Sequence, residues 1–210
     1  MERLKAWRSA ERTRLLAARF AIDAAGLERL RVMIDAHLER KFPALAGRTV
    51  AFCWPIQNEY DARHLAHRLR GRGARTALPV VVAPRRPLEF RLWKPGDALA
   101  RGALDIPYPA SGDAVFPEFV LVPMNGFDAG GYRLGYGAGF FDRTLASLAS
   151  QGRKPLAIGI AYECARLDTI HPQDYDIPMD YVVTERGAYE RRDGRLEFLD
   201  APDESGRPPG

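Results

Sequence analysis

Apolar residues recur every three to four positions in two stretches at the start of the chain, with arginines between them. They are Leu4, Trp7, Leu15, Leu16 and Phe20 in the first stretch and Leu27, Leu30, Ile34, Ala36 and Leu38 in the second. This spacing places the apolar side chains on one face of a helix. The chain is therefore predicted to open with two amphipathic helices.

Short continuous apolar runs follow and are typical of buried strands. They occupy residues 49–54, 76–82, 119–123, 156–162 and 181–185, and residues 88–93 alternate like a hairpin partner of 76–82. Helical spacing returns over residues 60–70 and 141–150. Because apolar strands alternate with helices, the pattern predicts an α/β fold with a mostly parallel central sheet flanked by helices.

The length of 210 residues suits one domain, which we expect to span residues 1–198. Residues 199–210 form a tail rich in proline, glycine and charge, and this composition predicts disorder. No stretch approaches the roughly 18 apolar residues that a membrane-spanning helix needs. We expect no membrane partner.

The chain carries 31 basic and 27 acidic side chains, a formal charge of +4, and its arginines are dispersed along the sequence. Dispersed arginine balanced by acids is more simply a solvated surface than a nucleic-acid site, so we expect no nucleic-acid partner. Cys53 and Cys164 are the only cysteines and form no CxxC pair. A disulfide framework is therefore not expected, and the predicted location is the reducing cytoplasm.

Residues 122–143, VPMNGFDAGGYRLGYGAGFFDR, carry six glycines between a predicted strand and a predicted helix. Gly135, Gly137 and Gly139 leave backbone amides bare where a helix begins, and its dipole favours an anion. Arg133 adds a planar donor fork that suits phosphate oxygens. The loop is therefore predicted to bind a phosphate through its backbone amides, although the same glycines would equally permit a simple tight turn.

Asp142 stands on the helix just after this loop. A carboxylate placed there can hold Mg²⁺ together with phosphate oxygens and water. An acidic residue in the first turn of a helix is also favoured by the helix dipole alone. The residues by themselves leave both interpretations of Asp142 open.

The segment RLGYGAGFFDR, preceded by VPxxxFDxxG, resembles the signature of the 5-formyltetrahydrofolate cyclo-ligases, also called methenyltetrahydrofolate synthetases, whose usual form is close to RLGxGxGYYDR. Three further segments are similar to the family in the same order: RLKAWR at 3–8, NEYD at 58–61 and DIPMDYVVTE at 176–185. The resemblance covers residues from about 3 to 187. It implies a Rossmann-like fold of the NagB/RpiA/CoA-transferase-like group.

The resemblance also implies site residues. Glu59 and Arg133 are expected to be catalytic, and Asp142 and Asp180 are expected to hold Mg²⁺. The expected ATP-binding residues are Lys5, Arg8, Arg133, Leu134, Gly135, Tyr136, Gly137, Ala138, Gly139, Phe140 and Phe141. The chain departs from the family where Leu4 stands four residues before Arg8, the place of the usual basic partner, and where Phe140 and Phe141 replace two tyrosines.

The implied reaction is the ATP- and Mg²⁺-dependent cyclisation of 5-formyltetrahydrofolate to 5,10-methenyltetrahydrofolate with release of ADP and phosphate. The expected folate-binding residues are Trp54, Glu59, Met124 and Phe127, although core packing explains the apolar ones equally well. The alternatives are a non-catalytic nucleotide-binding regulatory module of the same fold and an enzyme of the same fold group acting on a sugar phosphate or coenzyme A ester. We expect a monomer or a homodimer.

Overall fold

The computed structural model describes residues 2–102 and 105–199. The predicted disordered tail therefore lies, apart from Leu199, outside the described residues. The helices are α1 (Glu2–Phe20), α2 (Ala24–Lys41), α3 (Arg63–Gly71) and α4 (Phe140–Ser150). The strands are β1 (Thr49–Phe52), β2 (Arg75–Val80), β3 (Glu89–Leu92), β4 (Leu99–Arg101), β5 (Pro107–Pro109), β6 (Ala114–Val115), β7 (Phe119–Pro123), β8 (Gly126–Asp128), β9 (Arg133–Leu134), β10 (Leu156–Ile160), β11 (Arg166–Leu167), β12 (Tyr181–Thr184), β13 (Gly187–Arg192) and β14 (Arg195–Phe198).

The large sheet has nine strands in the order β14-β13-β12-β10-β7-β1-β2-β3-β6. Its five central strands, from β12 to β2, pair in parallel, and antiparallel strands extend it at both edges. The predicted hairpin is present, because β2 and β3 pair antiparallel with Ala77 opposite Leu92. The predicted α/β fold with a mostly parallel sheet is confirmed.

Apolar side chains cover both faces of this sheet. On one face Val50 and Phe52 of β1 join a cluster that includes Ile34 of α2 and Leu65 of α3. On the other face Ala51 joins a second cluster, to which α1 contributes Leu15 and α4 contributes Leu145 and Leu148. Successive residues of a strand point to opposite faces, so a strand buried on both sides must be apolar throughout.

Several short strands were not predicted. The strands β8, β9 and β11 form a separate three-stranded sheet, and β4 pairs with β5 in a hairpin. With only two or three residues each, these strands are too short to show an alternating pattern. The hairpin of β13 and β14 was missed because its strands, which are largely half-buried or exposed, are rich in charge.

The parallel strands β1, β7 and β10 end at Phe52, Pro123 and Ile160. Since parallel strands present their carboxyl ends at one edge of the sheet, the segments that follow them meet there, which is where ligands bind in open α/β sheets. None of the described helices is long and apolar enough to cross a membrane. The cytoplasmic location and the oligomeric state stay predictions.

Candidate active site

A cavity of about 700 Å³ opens at this edge of the sheet, a volume within the ordinary range for ligand pockets. Part of its wall is apolar and comprises Trp54, Ile56, Pro79, Val81, Leu88, Ile106 and Pro107. The other part is charged and comprises Arg8, Arg12, Glu59, Arg133, Asp142, Arg143, Asp174 and Asp176. All of the predicted ATP-binding residues from Arg133 to Phe141 line it.

The glycine loop leads into α4 at the wall of this cavity. Gly137 has φ 95° and the residue preceding the helix, Gly139, has φ 64°, both in the left-handed region that favours glycine. No side chain caps the first amides of α4. The start of this helix therefore keeps backbone donors available for an anion.

Two arginines hold the carbonyl groups of the loop. Arg12 Nε donates to Gly135 O at 2.6 Å, and Arg143 Nη2 donates to Ala138 O at 2.6 Å. These are charge-assisted hydrogen bonds, which are stronger than neutral ones. The loop is thus fixed by side chains from α1 and α4.

The amino-terminal helix supplies two cavity residues one turn apart. Arg8 Nη2 donates to Asp176 Oδ2 at 2.6 Å and to His171 O at 2.9 Å, and Arg12 follows four residues later on the same helix face. Lys5 is exposed and does not line the cavity. The structure thus does not bring Lys5 to the cavity, and the second basic residue of α1 on its wall is Arg12, four residues after Arg8.

Arg133 forms a buried ion pair with Asp142. Its Nη2 lies 2.7 Å from Asp142 Oδ1, its Nη1 donates to Ile177 O at 2.7 Å, and its side chain is 5% exposed. Burial lowers the pKa of Arg133, while Asp142 and Asp176 oppose that change. The donor fork that we expected on phosphate is thus occupied by the protein, and it holds Asp142 in place.

Asp180 does not line the cavity, contrary to the expected metal pair. It precedes β12, at the amino end of the strand, where Lys154 Nζ donates to Oδ1 and the Ala157 amide donates to Oδ2, both at 2.9 Å. Asp176, from the same DIPMDYVVTE segment, lines the cavity instead. The sequence contained both carboxylates, but only the fold shows which of them reaches the loop.

Asp142 and Asp176 bring two carboxylates to the cavity wall that could hold Mg²⁺. Asp142 Oδ1 and Asp176 Oδ2 accept protein hydrogen bonds, whereas their second oxygens accept none from the described residues. No cluster of three or more potential metal ligands occurs in the part of the chain that the structure describes. Protein-bound Mg²⁺ usually takes one or two carboxylates and completes its shell with phosphate and water, so the donor chemistry of these two residues suits the ion.

Glu59 follows a turn in which Gln57 and Asn58 have φ 51° and 58°. Its Oε1 accepts from the Tyr136 hydroxyl at 2.7 Å and its Oε2 accepts from the Ile56 amide at 3.1 Å. Burial raises the pKa of Glu59, and the two hydrogen bonds and Arg19 partly offset this. The structure therefore joins the predicted catalytic residue to the glycine loop through Tyr136.

Arg19 is a site residue that the sequence interpretation missed. It is 6% exposed, and its Nη2 donates to Asn125 Oδ1 at 2.9 Å and to the Tyr136 hydroxyl at 3.2 Å. One signal was present, since Arg19 stands four residues after the buried Leu15 and so shares its inward face. Because arginines are frequent along the chain, this spacing alone did not single out Arg19.

The expected folate-binding residues divide into two groups. Trp54 and Glu59 line the large cavity. Phe127 is fully buried in the core and lies outside that lining, with Arg166 stacked on its ring at 4.7 Å, so its expected role is corrected to core packing. Met124 is 2% exposed and borders only a smaller adjoining cavity of about 30 Å³, which is too small for a pterin ring.

The fold and site define a ligand-binding α/β protein in which a glycine loop and an arginine-rich wall face an apolar slot at the carboxyl edge of a parallel sheet. The family model of the 5-formyltetrahydrofolate cyclo-ligase family matches residues 4–185. The chain belongs to this family and is therefore an enzyme of the ligase class. The resemblance seen in the sequence is confirmed.

Relatives named in the same way support this membership. The chain is 30% identical to the 5-formyltetrahydrofolate cyclo-ligase of Escherichia coli over 70% of its own length and 84% of that protein. It is 32% identical to the enzyme of that name from Mycolicibacterium smegmatis over 67% of its length and 75% of the relative. The solved structure of Aquifex aeolicus 5,10-methenyltetrahydrofolate synthetase is similar with a TM-score of 0.73 and 28% identity, covering 92% of this chain and 97% of that one.

Proposed function

We propose that the protein cyclises 5-formyltetrahydrofolate to 5,10-methenyltetrahydrofolate at the expense of ATP, with Mg²⁺ as cofactor and ADP and phosphate as products. The observation that carries the proposal is a single cavity whose wall joins an arginine-rich, glycine-loop surface to an apolar slot that ends at Glu59. The arginine-rich, glycine-loop surface suits a nucleoside triphosphate, and the apolar slot suits a pterin.

The triphosphate is held by the amides at the start of α4 and chiefly by Arg12, whose Nη groups bond to no described residue, while Arg8 adds its charge although Asp176 and two carbonyl groups occupy its Nε and Nη2. These two arginines follow one face of α1, and both contact the elements that surround the loop. Phosphoryl transfer depends mainly on alignment and on neutralising charge, which backbone amides and guanidinium groups supply. Arg133 contributes indirectly, by fixing the Asp142 carboxylate.

Mg²⁺ would be held by Asp142 and Asp176, each through its unbonded carboxylate oxygen. When bound, the ion neutralises charge on the phosphate oxygens. Protein contacts already orient both carboxylates. Arg133 and the Ile177 amide orient Asp142, and Arg8 and the Gln173 amide orient Asp176.

The pterin occupies the apolar slot beside Trp54 and Ile56, with the formyl group and N10 at Glu59. The formyl oxygen attacks the γ-phosphorus, the bond from that phosphorus to the bridging oxygen breaks, and ADP leaves. N10 then attacks the formyl carbon, its proton passes to Glu59, and the C–O bond breaks with loss of phosphate. A carboxylate whose pKa is raised by burial is suited to accept that proton.

The test is direct because the methenyl product absorbs in the near ultraviolet. Purified protein is incubated with 5-formyltetrahydrofolate and Mg²⁺, with and without ATP, and ADP is measured in parallel. Absorbance that grows only with ATP, in step with ADP, supports the proposal. Nucleotide binding without product would instead indicate the non-catalytic module, and turnover only on a sugar phosphate or coenzyme A ester would indicate the other alternative.

A further inference from the structure

Arg19 is a buried cation whose hydrogen-bond partners are neutral. Its two acceptors are the Asn125 amide oxygen and the Tyr136 hydroxyl, and it forms no ion pair with any residue that the structure describes. Its Nε is buried and has no acceptor among those residues. Burying a charge without a counter-charge is costly, so such an arginine calls for a compensating group nearby.

The compensating group is Glu59, which Arg19 reaches through one hydroxyl. Tyr136 accepts from Arg19 Nη2 at 3.2 Å and donates to Glu59 Oε1 at 2.7 Å. Arg19 and Glu59 also border the same small cavity of about 30 Å³. The three side chains come from α1, the loop before α4 and the turn after β1, so the contact exists only in the folded protein.

We propose that Arg19 is a positioning residue that acts through Tyr136 to keep the Glu59 carboxylate charged at the cavity wall. The proposal deepens the proposed function, on which the importance of Glu59 rests. Arg19 itself does not line the large cavity, so it touches neither substrate. Its effect is exerted through its charge and through the hydroxyl whose lone pair it occupies.

The other titratable groups around Glu59 do not supply this charge. Cys53 at the end of β1 and Tyr162 after β10 are weak acids, and burial raises the pKa of each further, so both stay neutral. Tyr136 is likewise kept protonated, because burial and Glu59 both raise the pKa of its hydroxyl. Arg19 is thus the only cation that faces Glu59 within the described ranges bordering the small cavity.

The test measures the titration of Glu59 in the ligand-free protein. Glutamate labelled with ¹³C at the side-chain carboxyl is incorporated, and the Glu59 signal is assigned by its loss in Glu59→Gln. Arg19→Gln should raise the Glu59 midpoint by a measurable amount, up to about one pH unit, since a nearby opposite charge favours the ionised carboxylate. Tyr136→Phe should raise it as well, and adding Arg19→Gln to Tyr136→Phe should shift it by less than in the wild-type background.

The matched control is Arg14→Gln, which removes an arginine from the same helix. Arg14 is paired with Glu11 and its side chain is 56% exposed, so the Glu59 midpoint should not move. A folded Arg19→Gln protein with an unchanged midpoint would overturn the proposal. If Arg19→Gln does not fold, Tyr136→Phe decides, and an unchanged midpoint there overturns it equally.

The pH dependence of turnover then distinguishes a failure of this inference from a failure of the proposed function. Where the cyclo-ligase assay gives product, Arg19→Gln should move the acid limb of the kcat/KM profile upward by the same pH interval and leave kcat on the alkaline plateau largely unchanged. A uniform loss at every pH would speak for a structural role alone and against the proposal. A protein that shows the titration shift but makes no product would refute the proposed function and leave the Arg19–Tyr136–Glu59 linkage standing.

Discussion

At the scale of single residues, the site consists of acidic groups that already have partners within the protein. Asp142 is paired with Arg133, Asp176 with Arg8, and Glu59 with a tyrosine hydroxyl. The sequence predicted the importance of Asp142, Arg133 and Glu59 but assigned the arginine to phosphate. Its partner could not be foreseen, because pairing depends on how α4 meets β9 in the folded chain.

Because its partner Arg133 is buried, Asp142 should matter for stability as well as for the proposed activity. Asp142→Asn should lower turnover by about 10² to 10³, the range seen when a group that stabilises transition-state charge is lost. It should also cost about 3 kcal/mol of unfolding free energy, because Arg133 remains buried without its counter-charge. Turnover by absorbance and urea unfolding measure the two effects.

The control for this variant is Asp105→Asn, which removes a carboxylate paired with Arg101 at the surface, where both side chains are mostly exposed. Surface pairs contribute little, so both measurements should stay near the wild type. Near-normal turnover in a folded Asp142→Asn protein would contradict the assignment of Asp142 to the metal.

Glu59 should reveal its raised pKa in the pH dependence of stability. A carboxyl whose pKa is higher in the folded protein favours folding most when it is protonated, below its ordinary value near 4.5, and this advantage is lost as pH rises through the folded value. Because the pKa of Glu59 is raised despite the attraction of Arg19, Glu59→Gln should raise the Tm relative to wild type at pH 8 and give no gain at pH 4, while turnover falls by about 10² or more.

Thermal unfolding across this pH range provides the measurement, and Glu118→Gln serves as the control of opposite sign. The Thr49 amide and Arg48 lower the pKa of Glu118, so this carboxylate stabilises the fold above its ordinary pKa and its removal should lower the Tm slightly at pH 8. Identical responses of the two variants would count against the buried environment described for Glu59.

At the scale of elements, the long apolar runs were predictable and the short pieces around the site were not. β1, β7 and β10 are almost entirely apolar, as expected for strands that are covered on both faces. Their residues alone were therefore enough to predict the central sheet. The position of α1 beside the glycine loop was not predictable from periodicity, which gives a helix face but not its neighbour. For the same reason Arg12 and Arg19 were not predicted as site residues.

Two variants of the glycine loop distinguish an effect on the backbone conformation from an effect on the approach of the phosphate to the backbone. Gly137→Ala forces a side chain into a φ of 95° and brings Cβ within 3.4 Å of Arg12, so it should cost about 1 kcal/mol of stability and weaken nucleotide binding. Gly135→Ala has no atom within 4 Å of its Cβ and should leave the Tm unchanged. Reduced binding in Gly135→Ala would then report close contact of the phosphate with the backbone.

Calorimetric titration with ATP analogues in Mg²⁺ measures this binding, and Gly152→Ala is the matched control. Gly152 has φ 68° and an open surface position outside the cavity, so its alanine variant should carry similar strain and bind nucleotide normally. Equal loss of binding in the Gly137 and Gly152 variants would attribute the effect to general destabilisation.

At the scale of the whole molecule, the question is what the positive charge of this chain does. The sequence showed dispersed arginines with a net charge of +4, which we interpreted as a solvated surface. Many arginines are indeed paired at the surface, but four of them line one cavity, together with Glu59, Asp142, Asp174 and Asp176. The positions of these arginines along the sequence could not reveal that they meet at one cavity, since they come from α1, β9 and α4.

The four arginines of the cavity stand beside four acids, so the attraction of an anionic substrate depends on where each charge lies, and salt screens that attraction. We therefore expect kcat/KM for ATP to fall as ionic strength rises from about 0.01 to 0.15 M, where the Debye length shortens from about 30 to 8 Å, with a smaller change in kcat. Arg12→Gln should lower kcat/KM and flatten this salt dependence, because it removes one of the charges that the ligand meets. Arg14→Gln removes the same charge half a turn further along α1 but outside the cavity lining, so it should keep most of both the rate and the slope. Equal slopes in the two variants would mean that net charge, and not its placement at the cavity, governs substrate capture.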